Sequence, residues 1–370
     1  MVKFYSKELD GLRGVAVLLV LFFHFGRLPN SSIGLEFGWI GVQLFFVLSG
    51  YLITRILLDQ KNQSLLLYLK VFYWRRSLRI FPLYFAFLLS LLLLYFLTRQ
   101  PDGFPSIAGY LFTYTFNYSI IWDGLHVSRF FTHLWSLSVE EQFYIFWPFV
   151  VYFLSSKQLK ICIVFLLVSG PIIRYGLYLA LKDRLQEPET LGTAIYWFGI
   201  SHLDAFAIGA FVNFFPAKFL RIRPAVWFLA SSFLFAMAIF IMHKTHIINS
   251  ITSFGFEIHA IDHLKYVWQN SLLNILFAMT LWVVLTNGSY LLSLKPIVSV
   301  GQISYGIYVF HFPIMGIVNK VATAYQVPIL FELFASFSII ILIAWSSYTL
   351  FEKRFLAMKD QITSSPPKIL

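Results

Sequence analysis

The sequence predicts an all-α, polytopic membrane helix bundle, and three observations carry that prediction. The 370 residues are 59% hydrophobic and 12% charged, with a mean hydropathy of +0.75. A soluble chain of this length would need far more polar surface to cover its two or three domains. The 42 Phe and 20 Tyr suit helices packed in hydrocarbon, with rings near the interfaces. Finally, apolar runs of about 17 to 25 residues, long enough to cross a bilayer, recur along the whole chain.

Such runs fall at 10–29, 38–58, 79–98, 133–154, 160–181, 193–214, 224–243, 270–287, 297–318 and 329–351, which makes about ten transmembrane helices. The stretch 104–122 holds Pro105, Gly109 and Asn117 and reads as one re-entrant or interfacial segment. A transmembrane domain over 1–355 and a cytoplasmic tail over 356–370 follow. With the N-terminus inside, cytoplasmic segments hold 18 of the 28 Lys and Arg, external ones hold eight, and Arg13 and Arg174 lie within spans. An eleventh crossing would move the later charges outside, against the positive-inside rule. The net charge of +11 is spread over short loops, which fits anchoring to anionic membrane lipid and excludes a nucleic-acid patch. The single Cys162 excludes an internal disulfide. Because the first run contains Arg13 and His24, and no small-x-small cleavage site, it is expected to stay as the first helix.

That first run carries the strongest functional signal. A charge at the centre of a bilayer costs about 2.5 to 3.5 kcal/mol on insertion scales, yet Arg13 and His24 share one helix. Their eleven-residue separation is about three turns, so they lie on one face about 16 Å apart. A neutral imidazole with an ordinary pKa near 6.5 can take a proton from a hydroxyl, whereas a hydrogen-bonded core histidine is the bland alternative. In the second run, Gly41 and Gly50 bracket Gln43 and allow close approach by a backbone or a ligand. Near the start of the third, Arg75, Arg76 and Arg79 cluster beside Trp74 and Pro82. Arg76 and Arg79 are one turn apart and present two guanidinium forks suited to phosphates.

The fourth run holds Ser136, Glu140, Glu141 and Gln142. Two adjacent carboxylates in a membrane helix are costly, and successive residues diverge by 100°. Ser136 and Glu140 share a face, so Glu140 is the expected catalytic partner of His24, at the same depth from the external interface, and Glu141 a neighbouring substrate contact. In the sixth run, Asp204 requires a partner, either Arg174 or the nearby His202, and with Ser136 it is a candidate substrate contact. In the ninth, Ser304, Tyr308 and His311 form a polar stripe at helical spacing, and Tyr308 and His311 join the candidate substrate contacts.

Together these segments resemble the acyltransferase 3 family of integral membrane acyltransferases, over Leu9 to about Phe355. The matching motifs are Asp-Gly-Leu-Arg-Gly with the spacing to His24, the Gly-Val-x-x-Phe-Phe-x-x-Ser-Gly decapeptide from Gly41 to Gly50, Arg-x-x-Arg at Arg76 and Arg79, Trp-Ser-Leu-Ser-Val-Glu-Glu-Gln-Phe-Tyr from Trp135 to Tyr144, and Ser-Tyr-Gly-x-Tyr running on to His311. The resemblance implies transfer of an acyl group, usually acetyl, from acyl-CoA to a hydroxyl of a carbohydrate or glycan, in the bacterial cytoplasmic membrane and alongside glycan-assembly proteins. It makes His24 the catalytic residue and assigns Arg13, Arg76 and Arg79 to the donor side; no metal is implied. Two departures stand out. Many members have Arg where His202 precedes Leu203 and Asp204, so an ion pair to Asp204 is expected to be a weaker, pH-sensitive contact here. Some also carry an extracytoplasmic hydrolase-like domain after the membrane part, so this chain, ending at Leu370, is expected to finish the reaction alone or with a separate partner. A proton-coupled exporter of a glycan or lipid, with Arg13, His24 and Glu140 as its proton path, is the competing reading.

The charge count generates a topology test. After replacement of Cys162, a cysteine introduced in the tail should resist impermeant reagents in intact cells, while one in the 185–190 loop should react. A tail labelled from outside would mean eleven spans.

Overall fold

The computed structural model describes residues 6–28, 34–122, 128–215, 224–244 and 264–360, and every regular element among them is helical. In chain order these are α1 (Lys7–Gly26), α2 (Ile40–Gln60), α3 (Leu65–Thr98), α4 (Phe104–Phe112), α5 (Ser119–Trp122), α6 (Trp135–Phe153), α7 (Ser156–Leu181), α8 (Pro188–Trp197), α9 (Leu203–Val212), α10 (Pro224–Lys244), α11 (Lys265–Asn287), α12 (Lys295–Gln302), α13 (Ser304–Ala324), α14 (Ile329–Ser347) and α15 (Lys353–Leu356). The expected charges Lys3, Lys218, Arg221, Arg223 and Lys368, and the tail beyond 360, lie outside the described residues.

Among the described residues seven helices are long and apolar enough to cross a membrane, or eight if the segments Pro188–Trp197 and Gly199–Val212, bent by 66°, form one span. The two further expected spans are α6, made less apolar by Glu140, Glu141 and Gln142, and α10, apolar over Phe228–Ile241. The segment 104–122 is broken into α4, a short 3-10 turn and α5, too short for any piece to cross.

Two elements differ from the sequence expectation. The third helix begins at Leu65 and runs for 34 residues, roughly 51 Å, so Arg75, Arg76 and Arg79 sit inside a continuous helix and not on a loop at its lip. The expected run 297–318 is two helices, α12 and α13, broken at Ile303 (φ −98°, ψ 9°). There the backbone of α1 presses in: a Cβ on Gly301 would fall 1.8 Å from the Asp10 carbonyl oxygen. Such a break is a matter of packing, and the hydropathy of the run does not show it.

α1 and α2 are among the most buried spans, whereas α7 turns Ile161, Phe165, Val168 and Ile172 outward, as a lipid-facing helix should. The glycines of the decapeptide explain the tight centre. A Cβ on Gly41 would meet the Ala16 carbonyl oxygen of α1 at 2.3 Å, and one on Gly50 the Phe206 carbonyl oxygen of α9 at 2.1 Å. Both glycines therefore admit a backbone, the small-residue packing of membrane helices.

The two ends of the bundle are distinct. At one, the Ser293 hydroxyl donates to Glu8 Oε1 (3.0 Å) near the start of α1, Asp10 shares a cavity with Glu352 and Leu356, and Trp74 Nε1 donates to the Met358 carbonyl (3.3 Å). At the other, Arg27 shares a cavity with Arg129 and Glu189. The start of α3 and the end of the described chain thus lie together.

Candidate active site

Three cavities follow α1 from end to end. The smallest, about 120 Å³, is lined by Asp10, Arg79, Gln302, Tyr305, Tyr348, Glu352 and Leu356. Arg79 and Tyr305 also line the inner chamber, about 260 Å³, together with Arg13, Arg76, Ser49, Ser136, Glu140, Glu141 and Tyr308. Tyr308 and Val42 line in turn the outer chamber, about 340 Å³, which holds His24, His133, Arg27, Arg129 and Glu189 among Trp39, Trp135, Tyr196, Trp197 and Phe312. Asp10, Arg13 and His24 thus address three successive spaces from one helix.

The hydrogen bonds around His24 determine its tautomer. His311 is fully buried, and its Nδ1 lies 2.7 Å from the Tyr308 carbonyl. A carbonyl only accepts, so His311 Nδ1 carries the proton and its Nε2 is an acceptor. His24 Nδ1 lies 3.1 Å from that Nε2 and 3.1 Å from the Val20 carbonyl. Both neighbours accept, so His24 donates from Nδ1, and its Nε2 keeps a lone pair. His24 is half-buried and lines the outer chamber. His133 adds a third ring, its centroid 5.0 Å from that of His311, with Nε2 donating to the Val309 carbonyl (3.0 Å).

Glu140 is not the partner of His24. It accepts from Ser49 Oγ and from the Tyr144 hydroxyl (2.5 Å), and lies in the inner chamber beside Arg76. The reason is depth: His133, at the level of the His24 cluster, precedes Glu140 by seven residues, about 10 Å of helix. Arg13 and Glu140 thus share the inner chamber, whereas His24 opens on the outer one. Arg76 stacks on Tyr144, its Cζ 4.0 Å from the ring centroid, and Glu141 lines the same chamber. Arg75 lines none of the three cavities, because it diverges by 100° from Arg76. Ser136 and Tyr308 meet, with Oγ and hydroxyl 2.5 Å apart, a contact between α6 and α13 that the spacing within either helix does not predict.

The sequence matches the model of the acyltransferase domain family over residues 6–349. The chain belongs to that family. It is 30% identical over 336 residues to a peptidoglycan O-acetyltransferase, OatA, of Listeria monocytogenes, an alignment covering 86% of this chain and 50% of that protein. It is 27% identical over 375 residues to a putative O-acetyltransferase of Staphylococcus aureus, covering 95% and 57%, and 27% identical over 348 residues to the O-acetyltransferase OatA of Staphylococcus aureus, covering 88% and 53%. The chain therefore spans about half the length of these relatives. No solved structure matches it.

His202 is not the partner of Asp204, and the expected pH-sensitive contact between them does not form. Arg174 of α7 supplies the guanidinium: Nη2 pairs with Asp204 Oδ2 at 3.0 Å, Nη1 donates to the Ser201 carbonyl (2.6 Å) and Nε to the Val267 carbonyl (2.9 Å). Ser271 also donates to Asp204 Oδ2 (2.5 Å). His202 instead receives the Gln43 amide at Nδ1 (3.1 Å) and donates from Nε2 to the Tyr196 carbonyl (2.6 Å). Asp204 lines none of the three cavities, so it is a pairing residue that ties α7, α9 and α11 together, and the expectation that it touches substrate is corrected. Sequence reasoning also passed over Glu352 and Tyr348, which a π-helical turn, Tyr348–Glu352, presents beside Arg79. That turn leaves no mark in the residue pattern.

Removing one partner of a buried ion pair strands the other charge at a cost of about 3 to 5 kcal/mol. Asp204→Ala should therefore lower the thermal denaturation midpoint in detergent sharply, whereas His202→Gln, which retains an amide donor and acceptor, should change it much less. Equal losses would contradict this division of roles.

Proposed function

We propose that the protein is an integral membrane O-acyltransferase that moves an acetyl group from acetyl-CoA to a hydroxyl of a glycan, with peptidoglycan or a related bacterial surface glycan as acceptor. The observation that supports this best is the pairing of two adjoining chambers, one carrying three guanidiniums and the other a histidine with a free Nε2 lone pair. Arg13, Arg76 and Arg79 fit the phosphates of the donor, since guanidinium forks bind them through charge-assisted hydrogen bonds. The Tyr144 ring under Arg76, oriented by Glu140 through the Tyr144 hydroxyl, keeps that fork in place. In the outer chamber, Trp and Tyr faces flanked by Arg129 and Glu189 suit a sugar ring.

In the transfer, the acceptor hydroxyl gives its proton to His24 Nε2 as its oxygen attacks the thioester carbonyl. A C–O bond forms, the C–S bond breaks, and the proton passes to the departing sulfur, leaving an ester and free coenzyme A. His311, accepting the His24 Nδ1 proton, keeps the reactive nitrogen on the other side of the ring and takes the orienting role expected of Glu140. Ser136 and Tyr308 stand where the thioester meets the acceptor. The donor enters from the end that holds Asp10, Glu352 and Trp74, which positive-inside charge assigns to the cytoplasm together with both termini, and the acceptor enters from the opposite face.

In purified protein reconstituted in lipid, His24→Ala should insert normally and lose acetyl transfer to soluble peptidoglycan fragments, read as acetate ester formation by mass spectrometry and thiol release from coenzyme A. Wild-type turnover in that variant would return His24 to a packing role. Arg76→Ala and Arg79→Ala should each weaken acetyl-CoA use by roughly tenfold to a hundredfold, the value of a charge-assisted contact of about 1.5 to 3 kcal/mol. A defect confined to acceptor KM would remove both arginines from the donor site.

A further inference from the structure

The inner and outer chambers abut at Val42 and Tyr308, the two residues that line both. These two side chains stand between a donor held at Arg13, Arg76 and Arg79 and the chamber of His24. Neither is free to yield. The Tyr308 hydroxyl donates to the His133 carbonyl (3.0 Å) and lies 2.5 Å from Ser136 Oγ, which donates to it. Its backbone carbonyl is engaged by His311. Val42 is buried on α2, next to Gly41, whose Cα faces the Ala16 carbonyl so closely that a Cβ there would stand 2.3 Å from the oxygen. The two helices are in backbone contact at this level, and α2 has no space to retreat toward α1.

We propose that Val42 and Tyr308 form the aperture through which the acyl group passes from the donor chamber to His24, and that its width restricts the donor to short acyl groups. The inference rests on the acyltransferase reading and adds to it a determinant of acyl-chain length. One side of the aperture is a short branched side chain on a clamped backbone, the other a phenol pinned at its hydroxyl. An acetyl group presents one methyl to this gap. Each further methylene must pass between the same two side chains. Cavities discriminate such increments by roughly 10- to 200-fold per methylene when their walls do not move.

The test uses the full chain reconstituted in lipid, soluble peptidoglycan fragments as acceptor, and acetyl-CoA, butyryl-CoA and hexanoyl-CoA as donors. Wild-type protein should transfer acetyl in strong preference to the longer groups. Val42→Ala should raise the butyryl-to-acetyl ratio of kcat/KM by about tenfold or more, and Tyr308→Phe, which unpins the ring while keeping its bulk, should shift the ratio in the same direction by less. Val42→Phe should lose acetyl transfer while still binding acetyl-CoA, measured by isothermal titration. Unchanged chain-length ratios in both Val42→Ala and Tyr308→Phe, or wild-type acetyl transfer by Val42→Phe, would overturn the aperture. Absence of acetyl transfer by the wild type would instead overturn the transfer reading on which it rests.

Discussion

Hydrocarbon offers no hydrogen bonds, so every polar group carried into the bundle must find its partner on another helix or face an internal cavity. Most of what is specific about this protein follows from that constraint. α1 carries Asp10, Arg13 and His24 across the bundle, and each opens onto a separate cavity. The glycines at 41 and 50 draw α2 against α1 and α9 at backbone distance. Close packing at the centre leaves the remaining volume in chambers whose walls hold the charged residues.

Two different solutions to burying charge coexist. Around Asp204 the charges are matched inside the protein: one guanidinium, two carbonyls, a serine hydroxyl and a carboxylate close on each other, away from the cavities. Such a network ties helices together and lines none of the three chambers. In the inner chamber, three arginines face two glutamates around an open volume, and Glu140 is occupied by Ser49 and Tyr144. That surplus of donors suits a polyanionic ligand. The two arrangements explain why Asp204 and Glu140, equally conspicuous as intramembrane acids, have different roles.

The histidine cluster shows how a backbone can set the chemistry of a side chain. The Tyr308 carbonyl selects the tautomer of His311, which in turn selects that of His24. In many histidine sites a carboxylate performs this orientation. A neutral ring in the same place introduces no second charge into an apolar setting, where an unpaired carboxylate is expensive.

The sequence by itself determined the helical membrane class, the alignment of Arg13 with His24, and the arginine fork at Arg76 and Arg79. Each depends on apolar run length, on helical periodicity within one segment, or on the rarity of charge in hydrocarbon, and all of these are local. The tertiary structure alone decided that His24 answers to His311, 287 residues away, and not to Glu140. It also decided that Arg174 and not His202 neutralises Asp204, and that the ninth run breaks at Ile303, where the α1 backbone packs against Gly301. For the partners of His24 and Asp204 the physical reason is the same. Periodicity gives the angle of a residue about its own axis and leaves open the depth at which one helix starts relative to another, and a shift of seven residues moves a carboxylate about 10 Å, from one chamber to the next.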